Sequence, residues 1–170
     1  MRRYFLNTQF IEDGRTIDLI SIGIRCEDGR KFYRVNADCD FSKASTWVRT
    51  HVLGQMGLDG SPEEVSEILK KIGASTREEI RSDVLEFIRY HDERPEFWAY
   101  YADYHWVAFC RLFGQMIELP DGFPMYCNDL KQLLNSKGNP LIQHGINQNA
   151  LENAEWCYQS FKAIDEESPE

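Results

Sequence analysis

The sequence predicts an α/β fold built on a mixed central sheet, with the first three strands antiparallel and helices flanking them. Three observations predict it. The first third of the chain is β-branched, apolar and cut by two tight-turn signals, EDG at 12–14 and EDGR at 27–30. Capped amphipathic segments fill the middle. An aromatic strand-like stretch, PEFWAYY at 95–101, sits between helical patterns, as in a chain that returns to its sheet after a crossover.

Each element follows in order. Residues 3–10 alternate loosely and predict a strand. IDLISIGIRC (17–26) is β-branched and mostly apolar, which suits a central strand, and KFYRVN (31–36) completes a three-stranded meander. SKASTWVRTHVL (42–53) predicts a helix with Ser42 as its cap and Trp47 and Val48 packed inward. SPEEVSEILKKIG (61–73) carries a full set of helix signals: Ser61 as cap, Pro62 in the first turn, Glu64 completing the capping box and Gly73 as the stop. In STREEIRSDVLEFIRYH (75–91), Thr76 and Glu79 form a second capping box, and Ile80, Val84, Phe87 and Ile88 form an apolar stripe. Tyr104 to Met116 predicts a helix with Val107, Ala108, Leu112 and Met116 on one face. FPMYC (123–127) predicts a short strand or extended piece. NDLKQLLNSKG (128–138) predicts a helix ending at Gly138, NPLIQHGINQ (139–148) a loop, and Asn149 to Phe161 the last helix. Residues 1–164 are expected to form one domain, with 165–170 an acidic, frayed tail.

With 170 residues and 42% hydrophobic content, the chain can bury a sizeable core. It has 19 basic and 28 acidic residues, which excludes a general polyanion binder but not a local basic patch. Five widely spaced cysteines without a CxxC pair point to reduced, mostly buried thiols, not to zinc, and to an intracellular, cytoplasmic protein. No stretch approaches the ~18 apolar residues of a membrane span.

Several polar residues stand where chemistry is expected. Asn7 and Gln9 are two apart on a strand and point the same way. They are either surface polar residues at the end of a strand or ligand-facing groups. Asp103 is placed to cap the helix after the WAYY strand, with His105 in its first turn. Gln148, Asn149 and Asn153 open the last helix, and Asn149 is a candidate cap.

The opening YFLNTQFIEDGRTIDLISIG resembles the DEDDh group of 3'-5' exonucleases, in particular a bacterial and phage exoribonuclease-like branch that opens YFxDTEFIEDGRTIxLISIG. WVRTHVL (47–53), WAYYADYHWVAFCRLFG (98–114) and NALENA (149–154) extend the similarity over about residues 3–163. The resemblance implies a ribonuclease H-like fold. It also implies that the family's Asp and Glu of the first motif correspond to Asn7 and Gln9, its second-motif Asp to His105, and its final His and Asp to Gln148 and Asn153. In the family, carboxylates hold two magnesium or manganese ions and the His acts as general base. Here each of those groups is changed, so no catalytic set is intact and no metal or other cofactor is expected.

The resemblance therefore implies a catalytically inactive protein that binds an RNA or DNA 3' end, or a nucleotide, without cleaving it. Asn7, Thr8, Gln9, Phe10, Arg49, Tyr104, His105, Gln148 and Asn153 are the candidate binding residues. Tyr104, Trp106, Phe10 and Trp47 are candidate stacking groups, and Arg15, Arg49 and His51 candidate phosphate contacts or salt-bridge partners. Two other readings stand beside this one. In the first, an acidic interaction or inhibitor module on a nuclease fold engages a basic protein. In the second, the chain is an active metal-dependent exoribonuclease with ligands relocated to Asp103, Glu12 or Glu152, or an engineered null form of one. A homodimer is implied by resemblance alone.

Overall fold

In the computed structural model, which describes residues 1–88, 93–138 and 149–166, five strands form one mixed sheet in the order β3-β2-β1-β4-β5. The central strand β1 (Arg2–Glu12) pairs antiparallel with β2 (Ile17–Cys26), and β2 pairs antiparallel with β3 (Lys31–Val35). β4 (Pro95–Ala99) lies parallel to β1 on its other side, and the two-residue β5 (Asn128–Asp129) lies parallel to β4. The expected class and the antiparallel opening are both present.

The turns form for the reasons their residues suggest. Asp13 Oδ1 accepts the backbone N–H groups of Arg15 and Thr16, and Asp28 Oδ1 accepts that of Arg30. Between Gln9 and Phe10 the β1–β2 register slips: Gln9 faces Ser21 and Phe10 faces Leu19, leaving Ile20 as a bulge beside the polar end of β1.

Alternation along β1 divides the apolar residues between the two faces. Tyr4 and Leu6 join Ile22, Ile24, Phe97 and residues of α4 (Arg77–Ile88) and α5 (Ala102–Cys110). Phe5 instead joins Leu130 and Leu134 of α6 (Leu130–Lys137) and Cys157 and Phe161 of α7 (Ala150–Glu166). A third cluster gathers Ile11, Ile20 and Val35 at the polar end of β1 against Val52, Leu53, Leu58 and Val65. The last of these belongs to α3 (Pro62–Lys71), whose capping box and first-turn proline are as expected. α4 carries the predicted Thr76–Glu79 box. β2 is buried from Leu19 to Cys26, the pattern of a strand covered on both faces.

One glycine sets how closely the last helix approaches. Gly23 faces Asn7 across the ladder, and a Cβ there would lie under 3.0 Å from the backbone of Ala150 and Leu151. The first turn of α7 thus rests directly on the sheet. Arg25, two residues on, pairs with Glu155 at 2.9 Å and lies over the Tyr158 ring, while Lys31 reaches the same carboxylate at 3.0 Å. These contacts pin the next turn of α7 to β2 and β3.

Several expectations need correction. The stretch 42–53 is not one helix capped by Ser42. Asp40 caps a 3-10 turn, Phe41–Lys43, and Ser45 caps a second run made of α1 (Thr46–Val48), a π-helical turn Arg49–Leu53 and α2 (Gly54–Met56). Trp47 is exposed, not inward-packed; Val48 does pack against the third cluster. The helix expected from Tyr104 starts earlier, at Ala102, and ends at Cys110, so Met116 and Val107 are exposed while Ala108 and Leu112 are buried. FPMYC forms no strand, and pairing with Trp98 and Ala99 instead draws Asn128 and Asp129 into β5. α7 continues to Glu166, past the expected helix end at Phe161. The 139–148 loop, Gln148 included, and residues 167–170 lie outside the described residues. All five cysteines are free thiols, three of them buried.

Candidate functional site

Asn7, Thr8 and Gln9 leave β1 beside the bulge, and α5 and α7 converge on them. His105 is brought there by the start of α5. That start is held by Asp129, not by the expected Asp103. Asp129 Oδ2 accepts the Ala102 N–H at 2.7 Å, and its Oδ1 accepts the Gln132 N–H at 2.9 Å, so one carboxylate caps both α5 and α6. Asp103 sits exposed in the first turn. Tyr101, just before the helix, takes up a left-handed backbone (φ 56°), a strained conformation for a tyrosine. At the other wall, Asn149 Oδ1 accepts the Leu151 N–H at 2.8 Å and caps α7 as expected. Asn153, one turn on, then faces β1.

The polar side chains join in one cluster. The Thr8 backbone N–H donates to His105 Nδ1 at 3.1 Å, and the Thr8 hydroxyl lies 3.0 Å from the same nitrogen. The Asn7 amide is 3.1 Å from His105 Nε2, and the Asn153 amide is 3.3 Å from that of Asn7. Gln9 turns toward β2, where its Oε1 accepts the Ser21 hydroxyl at 2.7 Å. Burial pushes the His105 pKa down to about 4, outweighing the opposing contacts with the Thr8 and Tyr100 backbone and the charge of Asp129. A charged imidazole would also turn an Nδ1 proton against the Thr8 N–H. His105 is therefore neutral at pH 7.

These groups open onto a cavity of about 470 Å³, lined by Asn7, Thr8, Gln9, Phe10, His105 and Asn153 together with Glu12, Ser45, Trp47, Val48 and Val52. Six of the candidate binding residues are thus brought together. Two others stand apart. Tyr104 is exposed and stacks on Phe10 (ring centroids 6.3 Å apart) without lining the cavity itself. Arg49 lines a different cavity and donates to the carbonyls of Phe41 and Ser42. Trp106 is packed between Phe97 and Phe109, and His51 stacks on Trp47, its Nδ1 3.0 Å from the Trp47 carbonyl. Glu12 is the single member of the relocated-ligand set (Glu12, Asp103, Glu152) that lines the cavity. Ser21, Ser45 and the double cap Asp129 were not singled out from the sequence. Ser21 becomes visible only through the strand register, and Asp129 through a pairing that brings β5 to β4.

The donor set does not fit a pair of divalent ions. Magnesium takes anionic oxygens in near-octahedral order, whereas Asn7, Gln9, His105 and Asn153 are neutral and largely engaged with one another or with Ser21 and Thr8. Among the described residues, no group of three or more His, Cys, Asp or Glu is placed to hold a metal ion. None of the described helices is long and apolar enough to cross a membrane.

Residues 2–165 match the family model described as the 3'-5' exoribonuclease Rv2179c-like domain. Two curated relatives from Mycobacterium tuberculosis are each 42% identical to the chain over 139 residues, 81% of this chain and 77% of theirs. They are the 3'-5' exoribonuclease Rv2179c of strain H37Rv and the 3'-5' exoribonuclease MT2234.1 of strain CDC 1551.

Proposed function

Because the chain belongs to the Rv2179c-like 3'-5' exoribonuclease family, we propose that it is a pseudonuclease. It binds an RNA 3' end or a nucleotide in the family's cleft and does not cleave it. The observation that carries this reading is the Asn7–His105–Asn153 cluster. Three of the positions that the DEDDh resemblance assigns to metal ligands hold neutral side chains hydrogen-bonded in a row. Such a row has no charge with which to balance dications at a phosphodiester, and a half-buried neutral imidazole with Nδ1 already occupied does not replace a carboxylate. The cavity nevertheless has about 470 Å³ of space, an aromatic wall of Phe10 and Trp47, and several polar groups, which is what a binding site needs.

Two assays test it. A 5'-labelled RNA of about ten nucleotides, incubated with the protein and Mn²⁺, stays full length, while the same RNA binds saturably in EDTA. Stepwise shortening from the 3' end above the background of a heat-inactivated control overturns the claim of inactivity. Absence of RNA and nucleotide binding overturns the claim of a binding site.

A further inference from the structure

The tautomer of His105 determines which way the amides of this cavity point. Since the Thr8 N–H donates to Nδ1, the ring proton of the neutral imidazole sits on Nε2. With its nitrogen toward Nε2, the Asn7 amide would set two donors against each other at 3.1 Å. The two ends of an amide are nearly isosteric, so the oxygen of Asn7 faces Nε2–H and its nitrogen faces Asn153. Asn153 in turn presents its oxygen to Asn7. The remaining end of the Asn153 amide, a buried position to which no described group donates, is then the NH₂ group.

Gln9 reaches the same state by another route. The Ser21 hydroxyl donates to Gln9 Oε1. That bond turns the Gln9 oxygen toward the sheet and leaves Nε2 buried and without a partner among the described residues, on a residue only 7% exposed that lines the cavity. Two NH₂ groups therefore belong to residues lining one cavity, and that of Gln9 has no acceptor among the described residues. The charge around them is equally specific. Among the described residues no lysine or arginine lines the cavity, and Glu12 contributes a carboxylate whose Oε2 accepts the Gly14 N–H. A phosphate would meet donors but also an uncompensated negative charge. A neutral ring bearing carbonyl oxygens meets the donors, stacks beside Trp47 and Phe10, and leaves Glu12 an acceptor for ring N–H or ribose hydroxyls.

We propose that the amide nitrogens of Gln9 and Asn153 make the cavity a receptor for an uncharged, carbonyl-bearing nucleobase, and that it does not grip phosphate. The proposal rests on the nucleotide-binding reading above and names the part of the ligand that is recognised.

Calorimetric titration of the full chain in EDTA with uridine, uridine 5'-monophosphate, inorganic phosphate and a short oligouridylate tests it, each at low and high salt. Uridine is expected to bind, the monophosphate to bind no more than a few-fold tighter, phosphate to give no signal, and uridine affinity to be insensitive to salt. Asn153→Asp and Gln9→Glu turn a donor into an acceptor with little change of shape. Each is expected to weaken uridine about tenfold, the loss of roughly one hydrogen bond, with an unchanged circular dichroism spectrum showing that the fold is intact. Saturable phosphate binding, or uridine affinity undiminished in both folded variants, overturns the proposal. Oligouridylate binding with silence from uridine also overturns it and leaves the nucleic-acid reading standing; silence from every ligand overturns both.

Discussion

Gly23→Ala is the sharpest test of how the cavity is built. The added Cβ would lie under 3.0 Å from the backbone of Ala150 and Leu151, where ordinary contact begins at 3.4 Å. Backbone cannot rotate away as a side chain can, so the start of α7 must move off the sheet by about 1 Å. The Asn153–Asn7 contact, already 3.3 Å, then opens beyond hydrogen-bonding range. Overpacking costs about 1–3 kcal/mol and the lost hydrogen bond about 1 kcal/mol more, so the variant should be about 3 kcal/mol less stable. For a chain of this size that is about 6–12 °C in Tm, read by circular dichroism at 222 nm. Ligand affinity, measured well below that Tm, should fall as well, because Asn153 no longer reaches the row of amides. A Gly23→Ala protein that melts within 1 °C of the parent and binds equally well would refute the claim that direct contact between α7 and β2 positions Asn153.

Other consequences can be measured as readily. The His105 pKa is depressed, from 6.5 to about 4. The unfolded chain therefore takes up a proton between those values that the folded chain refuses, so stability is complete above pH 6.5 and falls as the pH drops toward 4. At pH 5 this amounts to up to about 2 kcal/mol; urea melts at pH 7.5 and 5.0 should show that loss in the parent and not in His105→Asn. Asp129→Ala removes the caps of α5 and α6 together, each worth about 1 kcal/mol. It should lower Tm by about 4–8 °C, whereas Asp103→Ala should leave it nearly unchanged. Combining Asn7→Asp, Gln9→Glu, His105→Asp, Gln148→His and Asn153→Asp should create Mn²⁺-dependent shortening of labelled RNA orders of magnitude above the parent; a folded quintuple variant that stays inert would count against the pseudonuclease reading.

Local signals carried most of the fold. The meander is legible because its turns are made by residues acting within three positions, Asp13 and Asp28 above all. The α3 and α4 capping boxes are legible for the same reason. Helix ends set from a distance were not legible. The start of α5 is fixed by Asp129, which arrives through β5, so the nearer Asp103 looked like the cap. Trp47 looked like core because a tryptophan in a helix usually is, yet its run turns that face to the cavity. In the site, the shared direction of Asn7 and Gln9 followed from strand geometry, and their neighbours Thr8 and Phe10 came with them. Arg49 was drawn in by its place in a matching motif, but its guanidinium is spent on two carbonyls of the preceding turn. Gly23 carried no local sign of its role, because the chain that approaches it lies about 130 residues away.

The contact between Asn7 and Asn153 joins positions 146 apart, the first strand to the last helix. A wall made from both ends of the chain closes late, since the loop entropy of so distant a pairing is recovered only when everything between has found its place. The cavity is therefore a property of the finished fold, absent from any piece that lacks α7. An occupant would act as a clasp between the two ends, resisting unfolding of the whole molecule rather than of one segment. Its affinity could then be read directly as a rise in melting temperature with concentration.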